Sequence, residues 1–397
     1  MDLYSGTPYW FLKDGLVNSY RSLDEDLRTE VLILGTGISG ALIGYHLIKR
    51  GIPVMLIDKR DVASGSTCAS TSLLQYEIDT PLTKLIGLIG KKNAYKSYLL
   101  CRDAIYKLKK ISDALQSDCD FRITQSVYLC SYKKDLERIC DEYAQRKRAG
   151  IDVEYYSSVE LKNKFSLDSH GAIVSNDGGC LNAYRLTHDL LEWICRNGGK
   201  VFDKTEAAQI IYKKGHVKVV TTNKNTLKAR HLVYAIGYEA QEYLKESYGK
   251  LHSTYCVVSE MQKEKPFDFL IWETARPYLY MRVASDNRII AGGKDVVYYS
   301  PGKRDKLLSI KTKQIVHAVK DKFPHLHFRP DYSWAGTFAE TKDGLPYIGQ
   351  HQKHPHSYFS LCYGGNGITF SLIAAEVISD LIAGINHPAC ALFSFYR

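Results

Sequence analysis

None of the ten cysteines is paired as CxxC, and no zinc-like spacing recurs, so neither a metal ribbon nor a disulfide framework is indicated and a reducing cytosol fits best. A basic tract with interleaved aromatics is missing too. The formal charge of +10, from 53 basic and 43 acidic residues, is scattered in short runs such as KLKK and YKK, which argues against nucleic acid as a partner. The N-terminal MDLYSGTPYWFLKDG lacks the basic, apolar, small-residue order of a signal peptide. Internal repeats and low-complexity linkers are lacking as well, so any two domains are expected to interleave rather than follow one another. With 45% hydrophobic and 24% charged residues over 397 positions, the chain is an ordinary globular one, long enough for two domains.

The uncharged run of residues 31–48 approaches the length of a membrane span, but its glycines and its strand-then-helix pattern read as a buried βα unit, so no integral membrane segment is expected. Residues 30–34 predict a strand, 39–50 a helix stopped by Gly51, and 53–57 a second buried strand. In that βαβ unit Gly35 allows the tight turn, Gly37 lets a pyrophosphate approach the backbone, and Gly40 lets helix and strand pack closely. The helix start at Ile38 and Ser39 presents free N–H groups and a dipole to the anion. Asp58 and Lys59 follow the second strand, where an acid suits a ribose diol. These features together predict a dinucleotide site and leave NAD and FAD undivided.

Further along, a helical, charged region is expected over residues 82–150, with 133–149 amphipathic, and a helix over 184–196. The alternating, tyrosine-rich residues 251–332 predict an antiparallel sheet with one helix near 306–322. Residues 278–283 alternate so that Tyr278, Tyr280 and Arg282 share one strand face and Leu279, Met281 and Val283 the other. The first face is a candidate substrate wall, with Arg282 either holding an anion or bracing a domain seam. Tyr363 is a further pocket candidate. His351, His354 and His356 in QHQKHPH have no interleaved carboxylate and read as a solvent-exposed loop, so no metal ligand set is expected.

The far end of the chain separates the two cofactors. WAGTFAETKDGLPYIG (334–349) and YFSLCYGGNGITFSLIAAEVISDLIAG (358–384) resemble the D-amino acid oxidase, glycine oxidase and sarcosine oxidase family of FAD-dependent oxidoreductases. The resemblance also takes in the N-terminal GxGxxG with its acid, the LVYAIG strand, YLYMR…RIIAGG and the terminal FSFYR. SGSTCASTSLLQ (64–75) is similar to the flavin-contacting stretch of glycerol phosphate dehydrogenases, through Ser64, Ser66, Thr67, Ser70, Thr71 and Ser72. The resemblance implies FAD, contacted also at Ala207, Ala235 and Gly237, and at Gly364, Gly365, Asn366, Gly367 and Ile368. Residues 368–382 keep helical spacing, and the glycines before them expose donors that suit a negatively charged flavin.

The implied architecture is α/β plus α+β: a Rossmann-like FAD-binding domain of residues 1–90, 181–250 and 334–397, interleaved with an antiparallel-sheet substrate domain of residues 91–180 and 251–333. The implied reaction is hydride transfer from a small amine or amino-acid-like substrate to non-covalently bound FAD, with oxygen or a carrier as final acceptor, in the cytoplasm. A dehydrogenase acting on a hydroxyl or sugar-like substrate, and a non-enzymatic flavin-binding module, are the alternatives. Lys294 stands roughly where sarcosine oxidases carry a lysine above the flavin. Two positions depart from the family: Gly336 stands where sarcosine oxidases have a flavin-linked cysteine, and Phe338 where glycine oxidase-like sequences have a carboxylate-clamping arginine. Arg276 or Arg282 is left as an alternative clamp.

Overall fold

A computed structural model describes residues 2–361 and 363–397. LRTEVLIL forms the strand Leu27–Leu34, whose last four residues are buried, as befits a strand covered on both faces. The helix Ile38–Lys49 and the strand Val54–Ile57 complete the expected βαβ unit. Around it lies a parallel sheet in the order Ser357–Leu361, Thr226–Tyr234, Leu27–Leu34, Val54–Ile57, Lys200–Phe202. Tyr347–Gln350 adds an antiparallel edge, and an antiparallel meander through Ala207–Lys213 and His216–Thr221 hangs from Thr226–Tyr234. The helix Ala183–Arg196 and the C-terminal helix Gly367–Ile382 pack on the Ile38–Lys49 helix, and their apolar faces merge into one core with it.

The second sheet is larger and mostly antiparallel. Its order is Tyr4–Gly6, Pro330–Glu340, Lys250–Ser259, Ile289–Val297, Leu279–Val283, Phe269–Glu273, Arg122–Leu129, Gly171–Cys180, Leu73–Leu74. The helix Pro301–Lys322 covers one face through Ile315 and Val319, which pack with Tyr255, Met281 and Ala291. The alternation read at 278–283 holds: Leu279, Met281 and Val283 belong to that covered core.

Three expectations change. The helical region 82–150 is split: the helices Lys91–Ala114 and Leu136–Arg148 flank the strand Arg122–Leu129, whose pairing with Phe269–Glu273 spans more than 140 positions and leaves no local trace. The boundary placed at 334 falls inside the strand Pro330–Glu340 of the large sheet, and Tyr4–Gly6 and Leu73–Leu74 also join that sheet. His351 is buried rather than exposed. Its Nε2 lies 2.9 Å from the Tyr248 hydroxyl and its ring meets Phe395 edge-on. Burial lowers its pKa, which suits a neutral aromatic filler.

Candidate active site

Between the two sheets runs a cavity of about 400 Å³ lined by residues of both. At the parallel-sheet end the glycines do what the motif requires. Gly35 sits at φ +104°, and a Cβ there would come 2.4 Å from the Ala235 carbonyl oxygen; a Cβ on Gly40 would come 1.9 Å from the Gly35 oxygen. Gly37 caps the Ile38–Lys49 helix and has no side chain of its own to bond over the first turn, where the Ile38 N–H donates to Thr67 Oγ1 at 3.0 Å. Asp58 accepts from the Thr36 N–H and hydroxyl on Oδ2 and from the Arg60 N–H on Oδ1, which leaves acceptor capacity on Oδ1. Burial pushes its carboxyl up against those hydrogen bonds. Lys59 and Arg60 line this end and both bond Glu239.

Gly364 to Ile368 form the opposite lip, and the Gly367–Ile382 helix begins there without a side-chain cap. Asn366 spends its amide elsewhere: Nδ2 donates to the carbonyls of Gln75 and Glu77, both 2.9 Å away, pinning residues 75–77 along the cavity. Beneath them Arg146 is buried against Glu77 and Glu142, with the rings of Tyr76, Tyr98 and Tyr128 around its guanidinium. Glu142 in turn accepts the N–H groups of Leu82 and Thr83.

At the large-sheet end the wall is made by Tyr278, Tyr280, Thr254, Cys256, Trp272, Gly336 and Phe338, with Tyr363 and the carboxylates Asp79 and Asp295. Asp79 accepts from the Tyr278 hydroxyl at 3.1 Å and from the Gly365 N–H at 2.7 Å. Asp295 reaches the cavity through a β-bulge. Ser253 pairs with Val296 and Tyr255 with Gly293, so Thr254 alone faces both Lys294 and Asp295. The extra residue is taken up at Lys294, φ +56°. Burial, with Asp79 and Glu340 nearby, pushes the Asp295 carboxyl up to about 7 against a hydrogen bond from Thr254 and the charge of Arg276.

Most of the residues picked out in the sequence meet at this cavity: Gly35, Gly37, Ile38, Ser39, Asp58, Lys59, Ser66, Thr67, Ser70, Thr71, Ser72, Ala207, Ala235, Gly237, Tyr280, Tyr363 and the 364–368 loop all line it. Four do not. Gly40 packs helix on strand, and Ser64 turns to the Val62 carbonyl. Lys294, expected by the flavin, is turned out of the cavity by the bulge, and its charge acts on Lys311 of the covering helix. Arg282 holds no anion in the cavity: it is buried, and its Nη1 donates to the carbonyls of Thr71, Ser72 and Leu181, so it fastens the 71–72 turn that lines the site. Arg276 is exposed and lies over the Tyr278 ring. The sequence reading missed Asp79, Asp295 and Trp272. Asp79 lies just past the 64–75 stretch and Asp295 directly follows Lys294, but no motif gives either a role, and only the hydroxyl pairing of Tyr278 and the bulge bring them to the cavity.

The chain matches the family described as FAD dependent oxidoreductase (DAO) over residues 30–381. It belongs to that family. It is 24% identical over 393 residues to a putative Rieske 2Fe-2S iron-sulfur protein of Bacillus subtilis (strain 168), covering 97% of this chain and 74% of that one. It is 22% identical over 377 residues to gamma-glutamylputrescine oxidoreductase of Escherichia coli (strain K12), covering 92% and 86%. The fold superposes on glycine oxidase from Geobacillus kaustophilus with a TM-score of 0.78 at 21% identity, over 93% of this chain and 99% of that one.

As a DAO-family member the protein is an FAD-dependent oxidoreductase, and the cavity fits its cofactor. Two helix N-termini, at Gly37 and Asn366, open onto it with no bond from the N-cap side chain and without an acid in the first turn, which suits a pyrophosphate and an electron-rich ring. Asp58 offers the ribose an acceptor. Gly336 has no neighbour within 4 Å of a notional Cβ except Thr254 Cγ2 at 3.7 Å, which leaves that face open. No described helix is long and apolar enough to cross a membrane.

Proposed function

We propose that this oxidoreductase oxidises a small amine at the carbon next to nitrogen, with FAD held non-covalently, oxygen or a protein carrier as final acceptor, and the cytoplasm as its place of work. FAD supplies the two-electron acceptor for the hydride. The protein's part is to bind and orient the amine and to exclude water. One observation carries the choice of amine over amino acid: among the described residues, the only lysine or arginine side chains lining the cavity are Lys59 and Arg60, both committed to Glu239 at the parallel-sheet end. A substrate carboxylate at the large-sheet end would meet Asp79, Asp295 and the phenyl ring of Phe338 instead of a cation. The missing charged hydrogen bond, about 1.5–3 kcal/mol, corresponds to roughly a ten- to hundredfold loss of affinity. The amine-directed E. coli relative is in keeping with this reading.

Anaerobic bleaching of the bound flavin by a panel of amines, glycine, sarcosine and D-alanine tests it. Simple amines should bleach the flavin, and the amino acids should do so poorly; efficient turnover of glycine or D-alanine would refute the reading. Phe338→Arg should raise amino acid turnover. Acid precipitation should leave the yellow colour in solution, because Gly336 offers no sulfur to bond the flavin.

A further inference from the structure

Carboxylates in an enclosed cavity are costly unless a cation meets them. At the large-sheet end the two carboxylates differ in what they already hold. Asp79 is engaged on both oxygens, by Tyr278 and by the Gly365 backbone. Asp295 is not: its Oδ1 is buried and has no hydrogen-bond partner. A bulge in the strand Ile289–Val297 is what presents it there, in the place that a regular strand would give to Lys294. The neighbouring lining is neutral and largely aromatic, with Tyr278, Tyr280 and Phe338 around the carboxylate. Arg276 already lies over the Tyr278 ring and His252 stacks on Phe338, so a ligand cation falls to the carboxylate itself.

That cation is not the reacting nitrogen. Loss of a hydride from the adjacent carbon needs the nitrogen lone pair, so the reacting amine must be neutral, whereas a carboxylate beside it would favour the protonated form. Asp295 is complementary to a nitrogen that stays charged through the reaction. Resting on the amine reading above, we infer that the substrate carries a second positive charge, as in a diamine or a longer polyamine, and that Asp295 is the residue that recognises it.

Three ligands of matched length separate the possibilities on the FAD-loaded enzyme: 1,4-diaminobutane, butylamine and 4-aminobutanoate, whose far ends are positive, neutral and negative. Binding is read from the shift in the flavin absorbance, which requires no turnover. The diamine should bind at least about tenfold tighter than butylamine, with 4-aminobutanoate weakest. Asp295→Asn should remove the advantage of the diamine and narrow the gap to 4-aminobutanoate, whereas Asp295→Glu should keep the order. A wild-type enzyme with no preference for the diamine, or an Asp295→Asn enzyme that retains it, overturns the inference. Should the asparagine variant lose FAD, the wild-type order and the glutamate variant still decide. Failure of every amine to bleach the flavin would sink the amine reading alone, since the binding order is measured independently.

Discussion

Ser39 Oγ and Ser371 Oγ lie 2.7 Å apart, and this one hydrogen bond ties the first turn of the glycine-loop helix to the second turn of the C-terminal helix. Ser371 also donates to the Gly367 carbonyl, so the pair joins two helix N-termini that both open on the cavity. Ser371→Ala should cost about 1 kcal/mol of stability, the worth of a single buried hydrogen bond, and weaken FAD binding slightly. Gly40→Ala should do far more. Its methyl would drive against the Gly35 carbonyl, part of the backbone, and overpacking of that kind costs about 1–3 kcal/mol. Purified Gly40→Ala protein should be largely colourless; full flavin occupancy, measured by absorbance ratio, would show that the helix can shift without loss of the site.

Lys294 supplies a negative prediction. A cation close to the flavin would speed its reaction with oxygen, by stabilising the charge that builds up on oxygen. The bulge puts Lys294 outside the cavity lining. Lys294→Met should therefore leave reoxidation by oxygen unchanged in stopped-flow absorbance, and a clear slowing would return the lysine to the flavin.

Arg146 is the buried charge on which the cavity floor rests. It bonds Glu77 at 3.3 Å and Glu142 at 3.0 Å inside a ring of tyrosines, while Glu77 also accepts from Ser126. Removing one member strands two carboxylates in the core, so Arg146→Leu should destabilise the protein by about 3–5 kcal/mol. Arg146→Leu combined with Glu77→Gln should recover part of that loss. Thermal melts of the two variants check both, and equal losses would show that Glu77 is not the partner that matters.

The Asp295 carboxyl gives a pH signature with a definite sign. Burial, then the charges of Asp79 and Glu340, raise it to about 7, against the Thr254 hydrogen bond and Arg276; the same charge acts on Lys311 behind the sheet. The folded value thus lies above the unfolded one, near 3.9. Below about pH 4 both states hold the proton and the ionisation cost is absent; it grows as pH rises and is complete above about 7. A bound ammonium ion relieves it by drawing the carboxyl back down. Affinity for 1,4-diaminobutane should fall by up to about tenfold per unit below pH 7, and binding near pH 6 should release a proton, measurable by calorimetry in buffers of different ionisation heat. Loss of a proton from the reacting amine adds its own pH dependence in every variant, so Asp295→Asn should show a shallower fall and release less proton than the wild type; equal behaviour of the two would show that another group titrates.

What the sequence by itself determined is local in origin. Strand, glycine turn, helix, strand and acid at residues 27–58 are specified by short-range periodicity and by the three glycine positions, each of which a single Cβ would block or crowd. The C-terminal helix was legible for the same reason, and the face carrying Tyr278 and Tyr280 followed from a period of two. Tertiary structure decided the rest. Arg282 shares that face with the two tyrosines, yet its guanidinium finds the carbonyls of residues 71, 72 and 181, which lie between 101 and 211 positions away along the chain. His351 lies buried because Tyr248 and Phe395 close over it. One extra residue against Thr254 exchanges Lys294 for Asp295 and so reverses the sign of the charge at that wall. A bulge is a property of how two strands pair: the Gly292–Gly293 pair beside it, with Gly293 at φ +126°, is the only local sign, and it does not say which side chain is brought to the cavity.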